Sequence, residues 1–273
     1  MQKSKNLALI VVVFVLLTSC GQYQKVLNKG TVEEQYKMAV KMYEAQKYAK
    51  ALRLFEKITP SYRGKPQMER IQYMVSQSNF NEKNYSLAGY YFNRFARNYP
   101  KSSKVEEASF MSALSYYKAA PVFSLDPTDT NKALESFQRF IDTYPKSERL
   151  DEANKYYGEL RYKLEKKAFE IGKTYYRTAD YDARNYTAAI VAFDNLLSDY
   201  LGTSFKEEAL YYRLKAAHDF AMKSTQRRKV ERIENAIKAY DKLKRSFPES
   251  KFDKEIEAMH TALVNEKKNL VKS

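Results

Sequence analysis

Cysteine is almost absent from this sequence, which contains one, Cys20, among 273 residues. A single cysteine cannot form an internal disulfide, so the stability of the fold must come from packing. Three roles are open to Cys20: a buried thiol, a catalytic nucleophile or a point of covalent attachment. A nucleophile needs a base, and the only histidines, His218 and His260, lie in no recognisable catalytic motif. Catalysis by Cys20 therefore has no support from sequence beyond a chance proximity in the fold.

Glycine and proline are also scarce, with seven residues of each, and tryptophan is missing. An all-β fold with many tight turns uses glycine and proline more often, so the composition opposes that fold class. The sequence also has no metal-spaced ligand cluster and no glycine-rich phosphate loop. We therefore expect no catalytic residue, no metal and no cofactor, although the many carboxylates leave an acid–base pair open.

A charge-free apolar run occupies residues 7–17, directly after Lys3 and Lys5. As a helix it would rise about 16 Å, roughly half of a bilayer's hydrocarbon core, which is too short for a comfortable membrane span. A basic start, an apolar core and small residues after it predict a secretory signal peptide at residues 1–19. An uncleaved signal anchor and a buried core helix are the alternatives.

The end of this run, Leu17-Thr18-Ser19-Cys20, resembles the bacterial lipobox, in which a lipid is attached to the cysteine before the peptide is cut ahead of it. Acyl chains contribute about 0.8 kcal/mol per buried CH₂, so several chains anchor a protein stably. We therefore predict lipid attachment at Cys20 and a lipidated tether at residues 20–31. Gly21 follows the cysteine, with no acidic residue nearby. By analogy with lipoprotein sorting, this favours the inner face of an outer membrane.

Positive charge is in excess, with a formal net charge of +15. Such a balance suggests nucleic acid, anionic lipid or acidic partners. However, the lysines are interleaved with glutamates, and the densest cluster, QRRKVER at residues 226–232, is short. A solvated helical surface is the favoured interpretation, and secretion argues against nucleic acid.

A short sequence motif that recurs along the chain indicates a repeated helical unit. It reads NYPKSS from residue 98, TYPKSE from 143, DYLGTS from 199 and SFPESK from 246. Upstream of each copy stand an alanine, an aromatic residue four positions later and an apolar residue three further on. The sets are Ala88, Phe92 and Phe95; Ala133, Phe137 and Phe140; Ala189, Phe193 and Leu196; Ala236, Tyr240 and Leu243; and, in an earlier copy, Ala51, Phe55 and Ile58.

The repeated residues have a physical meaning. Their spacing places them on one helical face, where the alanine permits close approach of a neighbouring helix and the aromatic ring fills the remaining gap. Proline then disfavours continuation of the helix, and it follows three of the sets. Leu201 replaces it in one copy, and Pro60 comes three positions early in another. Three predicted capping boxes would begin the next helices: Ser103 with Glu106, Ser204 with Glu207, and Ser250 with Asp253.

This pattern resembles the second helix of a tetratricopeptide repeat, and a first helix precedes each copy. The predicted fold class is all-α, an α-solenoid of about five tetratricopeptide-like helix pairs with a C-terminal capping helix. A generic helical bundle is the alternative. The repeat domain is predicted at residues 32–270, with repeats at 32–63, 66–100, 103–146, 148–202 and 204–248 and the capping helix at 251–270.

A lipobox followed by such repeats resembles the outer-membrane protein assembly factor BamD family. The most specific stretches are DPTDTNKALESFQRFIDTYPKSE at residues 126–148 and KLEKKAFEIGKTYYRTADYDARNYTAAIVAFDNLLSDY at 163–200. Two departures are the inserted DARNY at 182–186 and Leu201 in the place of proline.

The resemblance implies a non-enzymatic lipoprotein of the machine that inserts β-barrel proteins into outer membranes, lipid-anchored and facing the periplasm. It implies POTRA domains of the central barrel subunit as partners of the C-terminal repeats, and unfolded barrel proteins as ligands of the N-terminal repeats. Another repeat-containing cell-envelope adaptor, for example a peptidoglycan-associated one, is the alternative, and an enzyme is a third.

Tyrosine is abundant, with 24 residues, and aromatic rings with polar tips suit a peptide-binding groove. The candidate groove residues are Tyr43, Tyr85, Tyr117 and Phe123, with Asp126 shaping the loop inserted at 119–131. The alternative for each of these tyrosines is a purely structural role in packing.

Overall fold

The structure, a computed structural model, describes residues 21–272, and the predicted signal peptide and Cys20 lie outside this range. Every helix or strand within the described range is an α-helix. The chain divides into two compact units, and each is described by itself. Of the described residues, unit 1 contains 21–121 and 127–157, and unit 2 contains 122–126 and 158–272.

The helices follow one another with short connections. They are α1 (residues 21–29), α2 (Val32–Glu44), α3 (Tyr48–Tyr62), α4 (Gln67–Asn81), α5 (Tyr85–Asn98), α6 (Val105–Ala119), α7 (Thr128–Thr143), α8 (Leu150–Thr178), α9 (Arg184–Asp199), α10 (Lys206–Met222), α11 (Gln226–Ser246) and α12 (Asp253–Lys272). Helices α2 to α11 supply five successive pairs, and α12 follows the last pair. This order confirms the predicted fold class, an all-α tetratricopeptide-like solenoid with a terminal helix.

Unit 1 is built by packing each helix, from α2 to α7, on the next one along the chain. The segment predicted as a tether contributes α1, which is helical and packed. Tyr23 of α1 is buried, and its hydroxyl donates to the Lys50 carbonyl of α3 at 3.1 Å. A capping box that the sequence analysis missed starts α2, since the Glu34 N–H donates to the Thr31 hydroxyl and the Thr31 N–H donates to Glu34.

The repeated alanine, aromatic and apolar residues form the interior of both units. Of the fifteen residues in the five sets, fourteen are buried, and only Tyr240 is half-buried. Neighbouring rings meet edge to face, as Tyr73 of α4 does with Phe92 and Phe95 of α5, at 6.1 and 5.4 Å between centroids. Such pairs contribute about 0.5–1.5 kcal/mol beyond burial. These alanine, aromatic and apolar residues are therefore the ones through which each second helix packs on its neighbours.

The recurring motif coincides with the ends of helices α5, α7, α9 and α11. Helices α5, α7 and α11 each stop two residues before a proline, as predicted. Helix α9 stops at the same register without a proline, and Gly202 follows at φ +79°, a left-handed conformation that favours glycine. Pro60 does not end α3, which continues to Tyr62. Proline is therefore one way to end these helices, and neither necessary nor sufficient.

The predicted capping boxes at Ser103 and Ser204 are wrong, because the N-cap residues of α6 and α10 are Lys104 and Phe205, and neither helix has a side-chain cap. At both sites the residue one position before the predicted serine, Ser102 or Thr203, supplies the hydroxyl that accepts a local backbone hydrogen bond. Residues 102, 147, 203 and 250 each accept a hydrogen bond from the N–H two positions on, a local turn that serine and threonine favour.

Three of these hydroxyls also bind a glutamate from the preceding repeat, an arrangement that we call the hydroxyl–glutamate clasp. Ser147 donates to Glu106 at 2.6 Å, and Ser250 donates to Glu207 at 2.7 Å. Thr203 donates to the buried Glu165 at 2.9 Å. Glu106 and Glu207 therefore tie one repeat to the next, instead of closing the predicted boxes.

Unit 2 contains a close approach between α8 and α9. Gly172 of α8 is buried against the Phe193 ring of α9, and a Cβ at this position would lie 2.7 Å from a ring carbon. Phe193 is enclosed by Phe169 and Tyr212, whose ring centroids lie 5.9 and 6.0 Å away. Glycine is therefore required here for the two helices to pack.

Candidate functional site

The predicted attachment point, Cys20, lies just before the described residues, so its surroundings are not part of the structure described here. Within residues 21–272, no helix combines the length and apolar character needed to span a bilayer. The same range contains no group of three or more histidine, cysteine, aspartate or glutamate side chains arranged to hold a metal ion.

Three candidate groove residues, Tyr43, Tyr85 and Tyr117, lie in unit 1 on α2, α5 and α6, and all are half-buried. Tyr43 packs edge to face on Tyr48, with centroids 5.8 Å apart, and Tyr117 packs on Tyr156 at 4.4 Å. The Lys118 ammonium lies 6.0 Å from the centre of the Tyr85 ring, so α6 brings a cation beside α5. Each ring thus combines a packing contact with partial exposure.

The other two candidates, Phe123 and Asp126, belong to unit 2, in the loop that precedes α7. The Lys166 ammonium of α8 lies 4.8 Å from the centre of the Phe123 ring. Lys167 donates to the Leu125 carbonyl at 2.5 Å, which holds the same loop on α8. Asp126 is exposed and also engages a neighbour. The sequence therefore placed candidates in both units, and the structure fixes this loop through α8.

An exposed apolar face on α8 and α9 was missed by the sequence analysis. Ile171 and Tyr175 of α8 and Val191 of α9 are 41–50% exposed, and they line an open depression together with Arg184. The signal was present: Val191 lies outside the buried face that Ala189 and Phe193 define. Exposed apolar residues that cluster, in contrast to scattered ones, mark surfaces that bind proteins or membranes.

A polar network joins α8 to α10 within unit 2. The Tyr176 hydroxyl donates to Asp219 at 2.7 Å, and His218 Nδ1 lies 2.8 Å from the other carboxylate oxygen. Burial and the hydrogen bond to Asp219 raise the pKa of Tyr176 well above its usual value. Burial alone would raise the pKa of Asp219, but the hydrogen bonds from His218 and Tyr176 outweigh it and hold that pKa below its usual value. The network is therefore a charged structural link.

Comparison with known proteins places the chain among outer membrane lipoproteins. The family model described as "YfiO: Outer membrane lipoprotein" matches residues 28–231. A protein of Aquifex aeolicus (strain VF5), named "Putative outer membrane protein assembly factor BamD", is 27% identical over 134 residues. That match spans 46% of this chain and 42% of the relative, so less than half of the relative's length is covered.

A comparison with solved structures finds less similarity than the family comparison does. A chain from "Computational Design of Self-Assembling Cyclic Protein Homooligomers" is 16% identical, with 96% of this chain and 95% of that chain covered. Its TM-score of 0.21 supports no conclusion about this protein. The family match is independent of that structure and extends from the end of α1 into α11. This chain therefore belongs to the YfiO family of outer membrane lipoproteins.

Proposed function

We propose that the protein is a non-enzymatic subunit of the outer-membrane β-barrel assembly complex, which scaffolds the complex and helps recruit unfolded barrel proteins. The observation that carries this proposal is the family match over residues 28–231. The name of the relative from Aquifex aeolicus agrees with a role in outer membrane protein assembly.

Membrane attachment in this proposal depends on Cys20. Residues 1–19 are removed as a signal peptide, Cys20 carries lipid, and the repeats at residues 32–270 face the periplasm. A bound lipid suits a chain whose described helices include no membrane span, because several acyl chains suffice for stable anchoring.

The exposed face of α8 and α9 supports binding of a folded partner. Protein interfaces concentrate their binding energy in a few apolar and aromatic anchors with charged residues around them. Ile171, Tyr175 and Val191 supply such anchors, and Arg184 lies at the same depression. The partner that we propose for this face is a POTRA domain of the central barrel subunit.

The half-exposed tyrosines of unit 1 support binding of an unfolded ligand. Tyr43, Tyr85 and Tyr117 present ring surface and hydroxyl groups from three helices, so they can contact apolar and polar parts of an extended peptide. Barrel strands end in aromatic and apolar residues, which fit this chemistry.

The test is affinity purification of the tagged, full-length protein from membranes in mild detergent. We expect the POTRA-containing barrel subunit to co-purify with the wild-type protein. Val191→Asp places a charge on the proposed face and should reduce that recovery about tenfold, because a buried unpaired charge weakens an interface by more than 1 kcal/mol. Val230→Asp is the matched control, since Val230 is an exposed valine on α11 of the same unit.

The outcomes separate the candidate functions. Recovery of the barrel subunit with wild type and Val230→Asp, but not with Val191→Asp, supports membership of the complex and binding of that subunit through the α8–α9 face. Consistent absence of that subunit, with a peptidoglycan-binding partner in its place, would identify the protein as a different envelope adaptor.

A further inference from the structure

A row of cations runs along one face of α11 in unit 2. Successive members are three or four positions apart, the spacing that aligns side chains on a helix, except between Arg232 and Lys238, where Asn235 of the same cavity lies midway. They are Arg228, Arg232, Lys238, Lys242 and Arg245, and Arg213 of α10 faces the same space. These six residues line a cavity of about 520 Å³ over α9, α10 and α11, which we call the cationic groove. The sequence cluster QRRKVER contributes its first two members.

The floor of the cationic groove is apolar. Ile190 of α9, Ala217 and Phe220 of α10 and Ala239 of α11 form its base. The Arg232 guanidinium lies over the Phe220 ring, 3.6 Å from its centre, and donates to the Ser224 hydroxyl at 2.6 Å. Stacking on the ring fixes the plane of this guanidinium. The groove therefore combines cationic walls with an apolar base.

One carboxylate, Glu231, lines the groove, and a second, Asp194, contacts two of its cations, so most of the groove's positive charge is uncompensated. Arg213 Nε lies 2.7 Å from Asp194, and the Lys242 ammonium lies 3.8 Å from the same carboxylate.

Three other cations of the groove, Arg228, Lys238 and Arg245, are exposed, and none forms an ion pair with a carboxylate in the described part of the chain. Two cations on other faces of α11 are paired, Lys229 with Glu266 at 2.5 Å and Lys244 with Asp253 at 3.0 Å. Arg227 is the cation outside the groove that also lacks an ion pair among the described residues, so most of the α11 cations without ion pairs line the cavity.

We propose that the cationic groove binds the phosphate headgroup of an anionic membrane phospholipid. Guanidinium groups match phosphate oxygens in a planar, bidentate geometry, and lysine adds a point charge. The apolar floor would accept the glycerol and the first acyl methylenes. Cavities of this size hold small molecules, whereas a folded partner needs a much larger contact area.

The setting favours lipid as the source of the phosphate. The chain belongs to a family of outer membrane lipoproteins, so membrane phospholipids supply phosphate groups close to it. Basic clusters near a membrane gain about 1 kcal/mol for each cation that reaches an anionic lipid surface. An acidic peptide could also meet these cations, and the experiment treats it as the competing occupant.

The test is calorimetric titration of the full-length protein in neutral detergent. The probes are short-chain phosphatidylglycerol, short-chain phosphatidylcholine, glycerol phosphate, inorganic phosphate and a poly-glutamate peptide. We expect phosphatidylglycerol to bind at least about tenfold more tightly than each of the other probes, because only it offers both a net negative phosphate and acyl methylenes.

Matched variants locate the site. The groove variant combines Arg228→Gln, Lys238→Gln and Arg245→Gln. The control variant removes the same charge from exposed cations that do not line the groove: Arg227→Gln, Lys254→Gln and Lys268→Gln. We expect the groove variant to lose at least about tenfold in affinity for phosphatidylglycerol, and the control to change by less than about twofold. Circular dichroism checks that both remain folded.

Several results would overturn the proposal. Equal affinity for the two phospholipids would mean that the phosphate charge is not recognised. Equal losses of affinity in both variants would mean that the overall positive charge, and not the groove, attracts the lipid. Binding of glycerol phosphate or inorganic phosphate as tightly as the lipid would identify a free-anion site. Tighter binding of poly-glutamate, lost in the groove variant, would assign the groove to an acidic peptide.

Discussion

Gly172→Ala isolates the contact on which the packing of α8 against α9 depends. The added Cβ would lie 2.7, 2.8 and 3.0 Å from three carbons of the buried Phe193 ring, where ordinary contacts exceed about 3.4 Å. The ring is held by Phe169 and Tyr212, so it cannot turn away freely. Either the ring or the helix must shift by several tenths of an ångström.

The expected cost follows from two opposing effects. Overpacking a core costs about 1–3 kcal/mol, and alanine recovers about 1 kcal/mol of helix propensity relative to glycine. The net loss should therefore be about 0–2 kcal/mol. For a chain of this size, that corresponds to a melting temperature lower by up to about 8 °C.

Gly158→Ala is the matched control, because it makes the same substitution in the same helix. Gly158 is exposed, and a Cβ there would meet no atom within 4 Å. This variant should be unchanged or more stable by about 0.5–1 kcal/mol. Melting of the full-length variants, followed by circular dichroism at 222 nm, compares them. Equal stability of the two variants, or a more stable Gly172→Ala, would refute the assigned contact.

Three further predictions concern the clasp, pH and the anchor. Thr203→Val keeps the shape of the side chain but removes its hydrogen bond to the buried Glu165, so the free energy of unfolding should fall by about 1–3 kcal/mol in urea titrations, whereas Ser198→Ala on the surface should have little effect. The urea midpoint should fall as the pH drops from about 4 towards 2, because Asp219 has a lowered pKa in the folded protein, and Asp219→Asn should reduce this dependence. Cys20→Ala should leave the repeats folded but release the protein from membranes.

The sign of the pH effect follows from linkage. A carboxyl whose pKa is lower in the folded state stabilises the protein fully above its unfolded pKa, near 4, and this contribution disappears as the pH falls through the folded value. An unchanged dependence of the urea midpoint on pH in Asp219→Asn would contradict the role assigned to this residue.

For the anchor, wild-type-like membrane retention of Cys20→Ala, with no lipid on the native protein, would rule out lipid attachment there. For the clasp, equal effects of Thr203→Val and Ser198→Ala would contradict it.

The helices and their buried faces could be predicted because both depend on local sequence. Spacings of three and four fix which residues share a helical face, so the alanine and aromatic sets identified the interior. The end of α9 shows the same register at Leu201 as at the prolines, because the tyrosine and glycine around it permit the same turn. The local sequence was therefore sufficient to predict the end of this helix even where leucine replaces proline.

Interactions between repeats were less predictable. The serine-to-glutamate spacing of a capping box is identical whether the glutamate turns back to its own helix or accepts from the next repeat. Glu106 and Glu207 accept from the next repeat, and this contact depends on the approach of a loop some 40 residues further along the chain. Similarly, the helical spacing places Val191 outside the buried face of α9, but only the packing of α8 against α9 brings it beside Ile171 and Tyr175.

The most direct test of the proposed function is the amount of folded β-barrel protein in the outer membrane after the chain is depleted from cells. The folded form is measured by its resistance to unfolding in unheated detergent samples. We predict that folded barrel proteins decrease and unfolded ones accumulate, and that wild-type protein restores assembly whereas Val191→Asp does not. Unchanged amounts of folded barrel proteins after complete depletion would contradict a role in their assembly.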